Sequence, residues 1–223
     1  MWCFPKKSSA AFVCAMEDIL KVYTSPTPEG TVVICMDETS KQLTREIRPS
    51  LAPAPGRPLR YDCHYERNGV ASLFMFFAPF EGWRRVSVSE RRTTVDWAYQ
   101  VRELLEVDYP ELGKIILVMD NLNTHTPAAL YKAFPPETAR HLLDRLEFHF
   151  TPVHGSWLNV AEIELRVLCG QCLNQRIPDM DILKHEVSRW QFERNNKAAK
   201  VDWRFASEDA RIKLKRFYPS ILN

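Results

Sequence analysis

The chain of 223 residues has no apolar run near the ~20 residues that a membrane-spanning helix needs. Its start, Met1 to Lys7, lacks the apolar core of a signal peptide. Its six cysteines show no framework spacing, so they are interpreted as reduced intracellular thiols. We therefore expect a cytoplasmic protein without a membrane partner.

A strong overall charge is also missing, since the net charge is only +2. The distribution is more informative. Residues 41–70 hold six Lys and Arg against three acids, and residues 184–216 hold ten against five. Such segments are compatible with a phosphate-rich partner, although a solvated surface explains them equally well. No internal repeat or low-complexity tract occurs, and one domain is the default for this length.

Hydrophobic periodicity predicts the order of strands and helices. Strands are expected at 31–37, 70–78, 84–88, 114–119 and 146–150. Helices are expected at 8–23, 93–107, 127–133, 136–144, 158–173, 179–195 and 207–216. Early antiparallel strands followed by crossovers predict an α/β fold, a mixed five-stranded sheet with helices on its faces. Residues 49–58 carry four prolines and a glycine and predict a long, stiff, basic loop.

Two of these strands end on an aspartate. The run Val32 to Met36 stops at Asp37, and the run Ile115 to Met119 stops at Asp120. Ligands in such sheets bind beyond the carboxyl ends of the strands. Either acid taken alone is explained by capping of the next turn, but two such acids, each followed by further polar residues, indicate a shared site.

A third carboxylate, Glu162, lies in a helical stripe. Leu158, Leu165 and Cys169 lie at i−4, i+3 and i+7, which places Glu162 on their apolar face. Glu164 lies roughly 200° around the helix and is expected to be a solvated charge. A buried acid needs a partner, and a metal ion or a salt bridge to a core arginine would supply one.

The oxygen ligands that three carboxylates provide indicate which metal ions the site would bind. Hard oxygen ligands favour Mg²⁺ or Mn²⁺ over zinc. Two ions about 4 Å apart can activate an attacking oxygen and stabilise a leaving one. We expect Asp37 to bridge the two ions, and Asp120 and Glu162 each to complete the shell of one.

Three sequence blocks carry a family pattern: Met36-Asp37-Glu38-Thr39, Met119 to His125, and Thr151 to Glu162. Together they resemble the catalytic blocks of DDE transposases, in particular the bacterial insertion-sequence relatives of the mariner superfamily. The Leu-Asn-x-x-Glu core before the last acid is the most specific part. The resemblance covers the chain from about Trp2 to Tyr218.

The resemblance implies an RNase H-like catalytic domain at 31–223, preceded by a helix and linker at 1–30. Members of the family cut DNA at transposon ends with a metal-activated water, and then join the freed 3′-hydroxyl to target DNA. The implied triad is Asp37, Asp120 and Glu162. The implied partners are transposon-end and target DNA and a second copy of the chain, in a bacterial cell at the nucleoid.

Further expectations follow from the same resemblance. The Pro-rich stretch near 49–60 resembles the loop that clamps a partner subunit or DNA. The family usually carries N-terminal helix-turn-helix modules, so this chain is expected to be a catalytic half, with a separate helix-turn-helix subunit as a possible partner. The 41 residues between Asp120 and Glu162 exceed the usual spacing, and we place the surplus near 134–144. The alternative functions are a catalytically inactive remnant that binds DNA or protein, and an RNase H-like nuclease.

Other candidate residues have weaker support. Cys169 and Cys172 form a CxxC motif late in a helix, where core packing explains them better than redox or zinc chemistry. His125 and His154 are candidates for contacts to phosphate or DNA, or for turn capping. Four arginines near a strand edge are candidates either for phosphate contacts or for a solvated edge: Arg84, Arg85, Arg91 and Arg92.

Overall fold

The computed structural model describes residues 4–48, 51–58, 60, 62–120 and 125–219. Within them the chain forms one five-stranded sheet. Its strands are β1 (Thr31–Glu46), β2 (Tyr65–Ala78), β3 (Trp83–Ser89), β4 (Lys114–Met119) and β5 (Leu146–Phe150). The last two strands coincide with the predicted ones residue for residue.

The structure contains α-helices at the seven positions where the hydrophobic periodicity predicted them. They are α1 (Ala10–Thr24), α2 (Thr94–Glu103), α3 (Ala128–Ala133), α4 (Pro136–Asp144), α5 (Val160–Leu168), α6 (Met180–Asn196) and α7 (Ser207–Lys213). Two of them continue into a π-helical turn, α2 at Leu104–Asp108 and α5 at Cys169–Leu173. In the described part of the chain, no helix has the length and apolar character needed to cross a membrane.

The sheet is mixed, with the strand order β3-β2-β1-β4-β5. The pairs β1–β2 and β2–β3 are antiparallel, while β1–β4 and β4–β5 are parallel. Both faces are covered, because alternate residues of the central strands enter two separate cores. One core joins α1, α5, α6 and α7 to the sheet, and the other joins α2, α3 and α4. The predicted mixed five-stranded sheet is confirmed.

Strand β1 is much longer than predicted. The sequence predicted that it ends at Asp37, but it continues to Glu46. Its parallel pairing with β4 stops at Met36 opposite Met119, whereas its antiparallel pairing with β2 runs on to Glu46 opposite Tyr65. Asp37 therefore lies where β1 leaves β4, not at the end of a strand. The residues beyond that point are mostly polar and only partly buried or exposed, so they gave little hydrophobic signal, and the backbone ladder with β2 holds them extended.

The Pro-rich loop and the segment after Asp120 are only partly described. Residues 49, 50, 59 and 61 of the former, and Asn121 to Thr124 of the latter, lie outside the described residues. In the remaining part of the loop, Leu51 and Arg60 exchange backbone hydrogen bonds of 2.8 and 3.2 Å, and a tight turn closes between Ala54 and Arg57.

Candidate metal-dependent active site

The three predicted carboxylates converge at one edge of the sheet. Asp37 lies on β1 directly after the pairing with β4 ends, and Asp120 directly follows β4. Glu162 lies in the first turn of α5. The pKa of the Asp37 carboxyl is raised to about 7, first by burial and then by the negative charges of Asp120 and Glu162. The structure thus brings the three acids within electrostatic range of one another.

Asp37 is only half-buried, yet its environment disfavours the ionised form. The backbone N–H of Glu38 donates to its Oδ1 at 2.7 Å, which lowers the pKa and partly offsets the burial. The charge of Glu38 acts in the opposite direction. Among the described residues, no cationic side chain contributes to the pKa shift of Asp37, so its ionised form is not compensated by a positive charge.

Asp120 is held by two buried side chains. Thr151 donates from its hydroxyl to Asp120 Oδ1 at 3.0 Å, and Asn159 Nδ2 approaches the same oxygen at 3.4 Å. Asn159 also donates to the carbonyl of Met36 at 2.8 Å, while its own Oδ1 accepts from the N–H of Ala161 as the cap of α5. Sequence reasoning assigned no role to Thr151 or Asn159, although both lie in the third motif block.

Glu162 is fixed less firmly. Its Oε1 accepts from the exposed Arg166 at 3.1 Å, and its Oε2 is buried without a hydrogen-bond partner in the described part of the chain. The prediction that Glu162 shares a buried face with Cys169 is wrong, because Cys169 is exposed. Leu158 belongs to a separate 3₁₀ turn, and a π-helical turn begins at Cys169. Neither residue therefore continues the register of α5.

The buried face of α5 instead carries Glu164. Its buried residues are Val160, Ala161, Glu164, Leu165 and Leu168. The prediction that Glu164 is a solvated charge is wrong, since only 4% of it is exposed and it forms ion pairs with Arg84 and Arg194 at 3.0 Å. The salt bridge to a core arginine that was considered for Glu162 thus belongs to Glu164.

The donor set at this edge fits hard divalent cations. It consists of carboxylates alone, one of them with a raised pKa and one with a buried oxygen that lacks a partner. The three carboxylates do not all offer oxygens within 4.8 Å of one another. As arranged here, the three carboxylates therefore do not meet the spacing of a three-ligand site for a single ion.

Among the described residues, only Asp62, Cys63 and His64 offer three ligand atoms within 4.8 Å. Asp62 Oδ1 already accepts from the backbone N–H of His64 at 3.0 Å and lies 3.1 Å from its Nδ1. Arg48 Nε is 3.8 Å from the other oxygen. This cluster is an Asx-type turn beside positive charge, and we do not assign a metal to it.

A buried polar pair lies beside the acids. His125 is 2% exposed and stacks on Trp97 with ring centroids 5.7 Å apart. Its Nε2 is 3.5 Å from Oε2 of Glu38, whose other oxygen is 3.4 Å from Arg92 Nη1. At this exposure His125 is almost inaccessible to solvent. His154 is exposed and has φ of 67°, an uncommon conformation for a residue other than glycine.

Two of the arginine predictions are wrong. Arg84 and Arg85 are buried, at 0% and 7% exposure, so they do not line a solvated edge or track phosphates. Arg85 forms ion pairs with Asp108 and Glu103 at 2.6 and 2.7 Å. The prediction that both cysteines of the CxxC motif pack in the core is confirmed for Cys172, which is buried. It is wrong for Cys169, which is exposed.

The fold and the site define an RNase H-like core that carries acidic residues at the sheet edge. The structure of the catalytic domain of the Mos1 mariner transposase is similar to this chain. It is 15% identical, with a TM-score of 0.55, over 88% of this chain and 96% of that one. A family model described as DDE superfamily endonuclease matches residues 32–184. The chain belongs to this family, as the motif blocks predicted.

Longer Mos1 chains match as well. The Mos1 transposase in its paired-end complex with the left transposon end is 16% identical, with a TM-score of 0.57, over 89% of this chain and 64% of that one. The Mos1 mariner paired-end complex with Mn is also 16% identical, with a TM-score of 0.57, over 89% and 61%. This chain thus spans somewhat less than two thirds of those transposase chains. No curated protein matches it.

Proposed function

We propose that residues 31–223 form the catalytic domain of a transposase, which cleaves DNA at transposon ends and transfers the freed strand to target DNA. The observation that carries this proposal is the convergence of Asp37, Asp120 and Glu162 at one sheet edge in a chain of the DDE superfamily. The mariner transposases with the same fold, one of them bound to its transposon end, support the choice of substrate.

The proposed cofactor is a pair of Mg²⁺ or Mn²⁺ ions held by the same three carboxylates. Asp37, Asp120 and Glu162 would hold the ions, and Asp37 is the acid on which the charges of the other two both act. When bound, the ions would activate the attacking oxygen and stabilise the leaving oxygen of the phosphodiester. The Mos1 paired-end complexes with Mn and with Mg support the choice of metal.

The protein's own contribution is to place the acids. Thr151 and Asn159 fix the orientation of the Asp120 carboxylate through its Oδ1. Asn159 also fixes the start of α5 against β1, and hence the first turn, where Glu162 lies. Phosphoryl transfer with two metal ions requires the protein to hold the metal ligands within fractions of an ångström of their productive positions.

The remaining assignments belong to the same proposal. We propose a homodimer that acts in the bacterial cytoplasm at the nucleoid, with DNA reading supplied by helix-turn-helix modules on a separate subunit. We further propose that the chain belongs to the insertion-sequence branch of the superfamily. Gel filtration with light scattering tests the dimer, and end-binding with and without an added helix-turn-helix protein tests the second subunit.

The decisive experiment is Mg²⁺-dependent nicking of plasmid and end-containing DNA by wild type and by Asp120→Asn. We expect the variant to lose at least about a thousand-fold in rate while it keeps its fold, because the carboxylate acts on the reaction and not on the core. Asp181→Asn, which removes an exposed acid of α6, is the control and should cleave at the wild-type rate.

The outcomes separate the alternative functions. An inactive remnant would neither nick DNA nor bind Mn²⁺ in calorimetry. An RNase H-like nuclease would cleave hybrids or junctions and would not join strands. Cleavage by Asp120→Asn at the wild-type rate would rule out the proposed triad.

A further inference from the structure

The buried acid of α5 is the centre of an ionic cluster that the proposed chemistry does not use. Glu164 Oε1 lies 3.0 Å from Arg84 Nε and accepts from Arg194 Nε at 3.0 Å. Its Oε2 accepts from Arg194 Nη2 at 3.0 Å, so Arg194 binds it in a bidentate manner. Arg84 is fully buried and Glu164 nearly so, which gives this cluster more weight than the exposed ion pairs elsewhere.

The cluster ties α5 to two other elements. Arg84 comes from β3, and its guanidinium also donates to Ala199 O at 2.8 Å and to Asn195 Oδ1 at 3.3 Å. The backbone of Arg84 exchanges two further bonds of 2.8 Å with the Asn195 side chain. Arg194 comes from α6, one residue before Asn195. Glu164 therefore connects α5 to both β3 and α6. The contacts between Arg84 and Asn195 connect β3 to α6 directly.

This anchor is one of the contacts that set the rotation of α5 about its axis, together with the buried apolar residues Val160, Leu165 and Leu168. The helix has nine residues, too few to hold its position without tertiary contacts. Asn159 fixes its first residue against Met36. Glu164 lies two residues after Glu162, roughly 200° around the helix, so an anchor at Glu164 holds Glu162 on the opposite side.

Glu162 itself has little else to hold it. Among the described residues, the one hydrogen bond of its side chain is to Arg166, whose side chain is 72% exposed, and pairs of this kind on a helix surface are weak. Its other oxygen has no partner in the described residues. The position of this carboxylate relative to Asp37 thus depends on the rotation of the whole helix.

We propose that Glu164, held by Arg84 and Arg194, is a positioning residue that keeps Glu162 in place beside Asp37 and Asp120. The inference rests on the proposed function of Glu162. Glu164 acts through the helix and touches neither metal nor DNA. Its loss leaves the buried Arg84 and the partly buried Arg194 without their shared anion, which favours a shift of α5 or α6 that hydrates them.

Three proteins test this proposal: wild type, Glu164→Gln, and Leu142→Ala. The last removes a fully buried side chain of α4 on the other face of the sheet, and it controls for a general loss of stability. Mn²⁺ affinity is measured by calorimetry at a temperature where circular dichroism shows all three folded. We expect Glu164→Gln to bind Mn²⁺ about 10–100-fold more weakly, and Leu142→Ala to bind as wild type does.

Two more readouts distinguish positioning from simple stabilisation. In the nicking assay, Glu164→Gln should lower kcat while KM for DNA is unchanged, and Glu164→Asp, which keeps the charge, should recover part of the rate. Crystal structures should show the Glu162 carboxylate of Glu164→Gln displaced by about 1 Å or more. If Glu164→Gln does not fold, Arg194→Lys keeps the charge, removes the bidentate contact and should weaken Mn²⁺ binding several-fold.

The results separate this inference from the proposed function. If Glu164→Gln binds Mn²⁺ as wild type does and Glu162 stays in place, the positioning role is overturned while the metal site stands. If wild type binds no Mn²⁺, the proposed function fails. The crystal structures then still decide whether Glu164 sets the position of Glu162.

Discussion

The side-chain amide of Asn159 donates a hydrogen bond of 2.8 Å to the backbone carbonyl of Met36, 123 residues earlier in the chain. Met36 directly precedes Asp37, and Asn159 caps the helix that carries Glu162. The same amide nitrogen lies 3.4 Å from Oδ1 of Asp120. One fully buried side chain therefore connects the three places from which the candidate acids come.

Replacing Asn159 should damage both the fold and the site. In Asn159→Ala, the Met36 carbonyl and the Ala161 N–H lose their partner, and we expect a loss of about 2–4 kcal/mol in the free energy of unfolding. Mg²⁺-dependent nicking should fall at least about ten-fold, because Asp120 and α5 are no longer aligned. Urea unfolding and the nicking rate below the unfolding transition measure the two effects.

A matched variant separates the cap from the site. Asp179 caps α6 by accepting from the N–H of Ile182 at 2.9 Å. Asp179→Ala should lose only about 1 kcal/mol, with the nicking rate unchanged. Equal activity losses in Asp179→Ala and Asn159→Ala would contradict the specific role of Asn159.

Removing the charge of Asp37 should stabilise the metal-free protein. The folded state raises the pKa of this carboxyl from 3.8 to about 7, chiefly through burial, so its ionised form opposes folding. The penalty is absent below about pH 4, grows as the pH rises towards 7 and is constant above it. Asp37→Asn should thus equal wild type at pH 4 and exceed it by on the order of 2 kcal/mol at pH 8 in EDTA.

Divalent cations should reverse this order. Mn²⁺ at pH 8 should raise the melting temperature of wild type and leave that of Asp37→Asn nearly unchanged, because only the carboxylate binds the ion strongly. Thermal unfolding with EDTA and with Mn²⁺ measures both effects, with Asp181→Asn as the control. A less stable Asp37→Asn at pH 8 in EDTA would show that this site is not strained by its own charges.

The cysteines should differ sharply in reactivity. Burial raises the pKa of the Cys35 thiol to about 12, and its Sγ lies 3.3 Å from the hydroxyl of Tyr23. At pH 8 its thiolate fraction is about a thousand-fold below that of an ordinary cysteine. Iodoacetamide labelling followed by mass spectrometry should modify the exposed Cys14, Cys63 and Cys169 first. Labelling of Cys35 at a similar rate would show that the core between α1 and β1 opens readily.

The sequence predicted most of the secondary structure because most of the core strands are apolar runs and most of the helices carry a periodic apolar face. It failed where backbone pairing, not side-chain burial, decides the structure. Residues beyond Asp37 are polar and mostly partly buried or exposed, so nothing in their pattern showed that β1 continues to Glu46. The strand exists there because β2 supplies the hydrogen-bond ladder.

The periodicity argument also misplaced the faces of α5. It counted Leu158 and Cys169 as helical neighbours of Glu162, but a 3₁₀ turn and a π-helical turn take both out of register. The sequence therefore assigned the buried face to Glu162, whereas the structure buries Glu164. Arg84 and Arg85 seemed to be surface charges because their anionic partners, Glu164 and Asp108, are remote in the sequence.

The order of elements, the mixed sheet and the identity of the candidate acids were determined by the sequence alone, because local pattern and motif blocks carry that information. Which acid is buried, what holds it, and how closely the carboxylates approach were decided only by tertiary structure. The energy of a charged group depends on its burial and on partners brought from other elements. No local pattern records those partners.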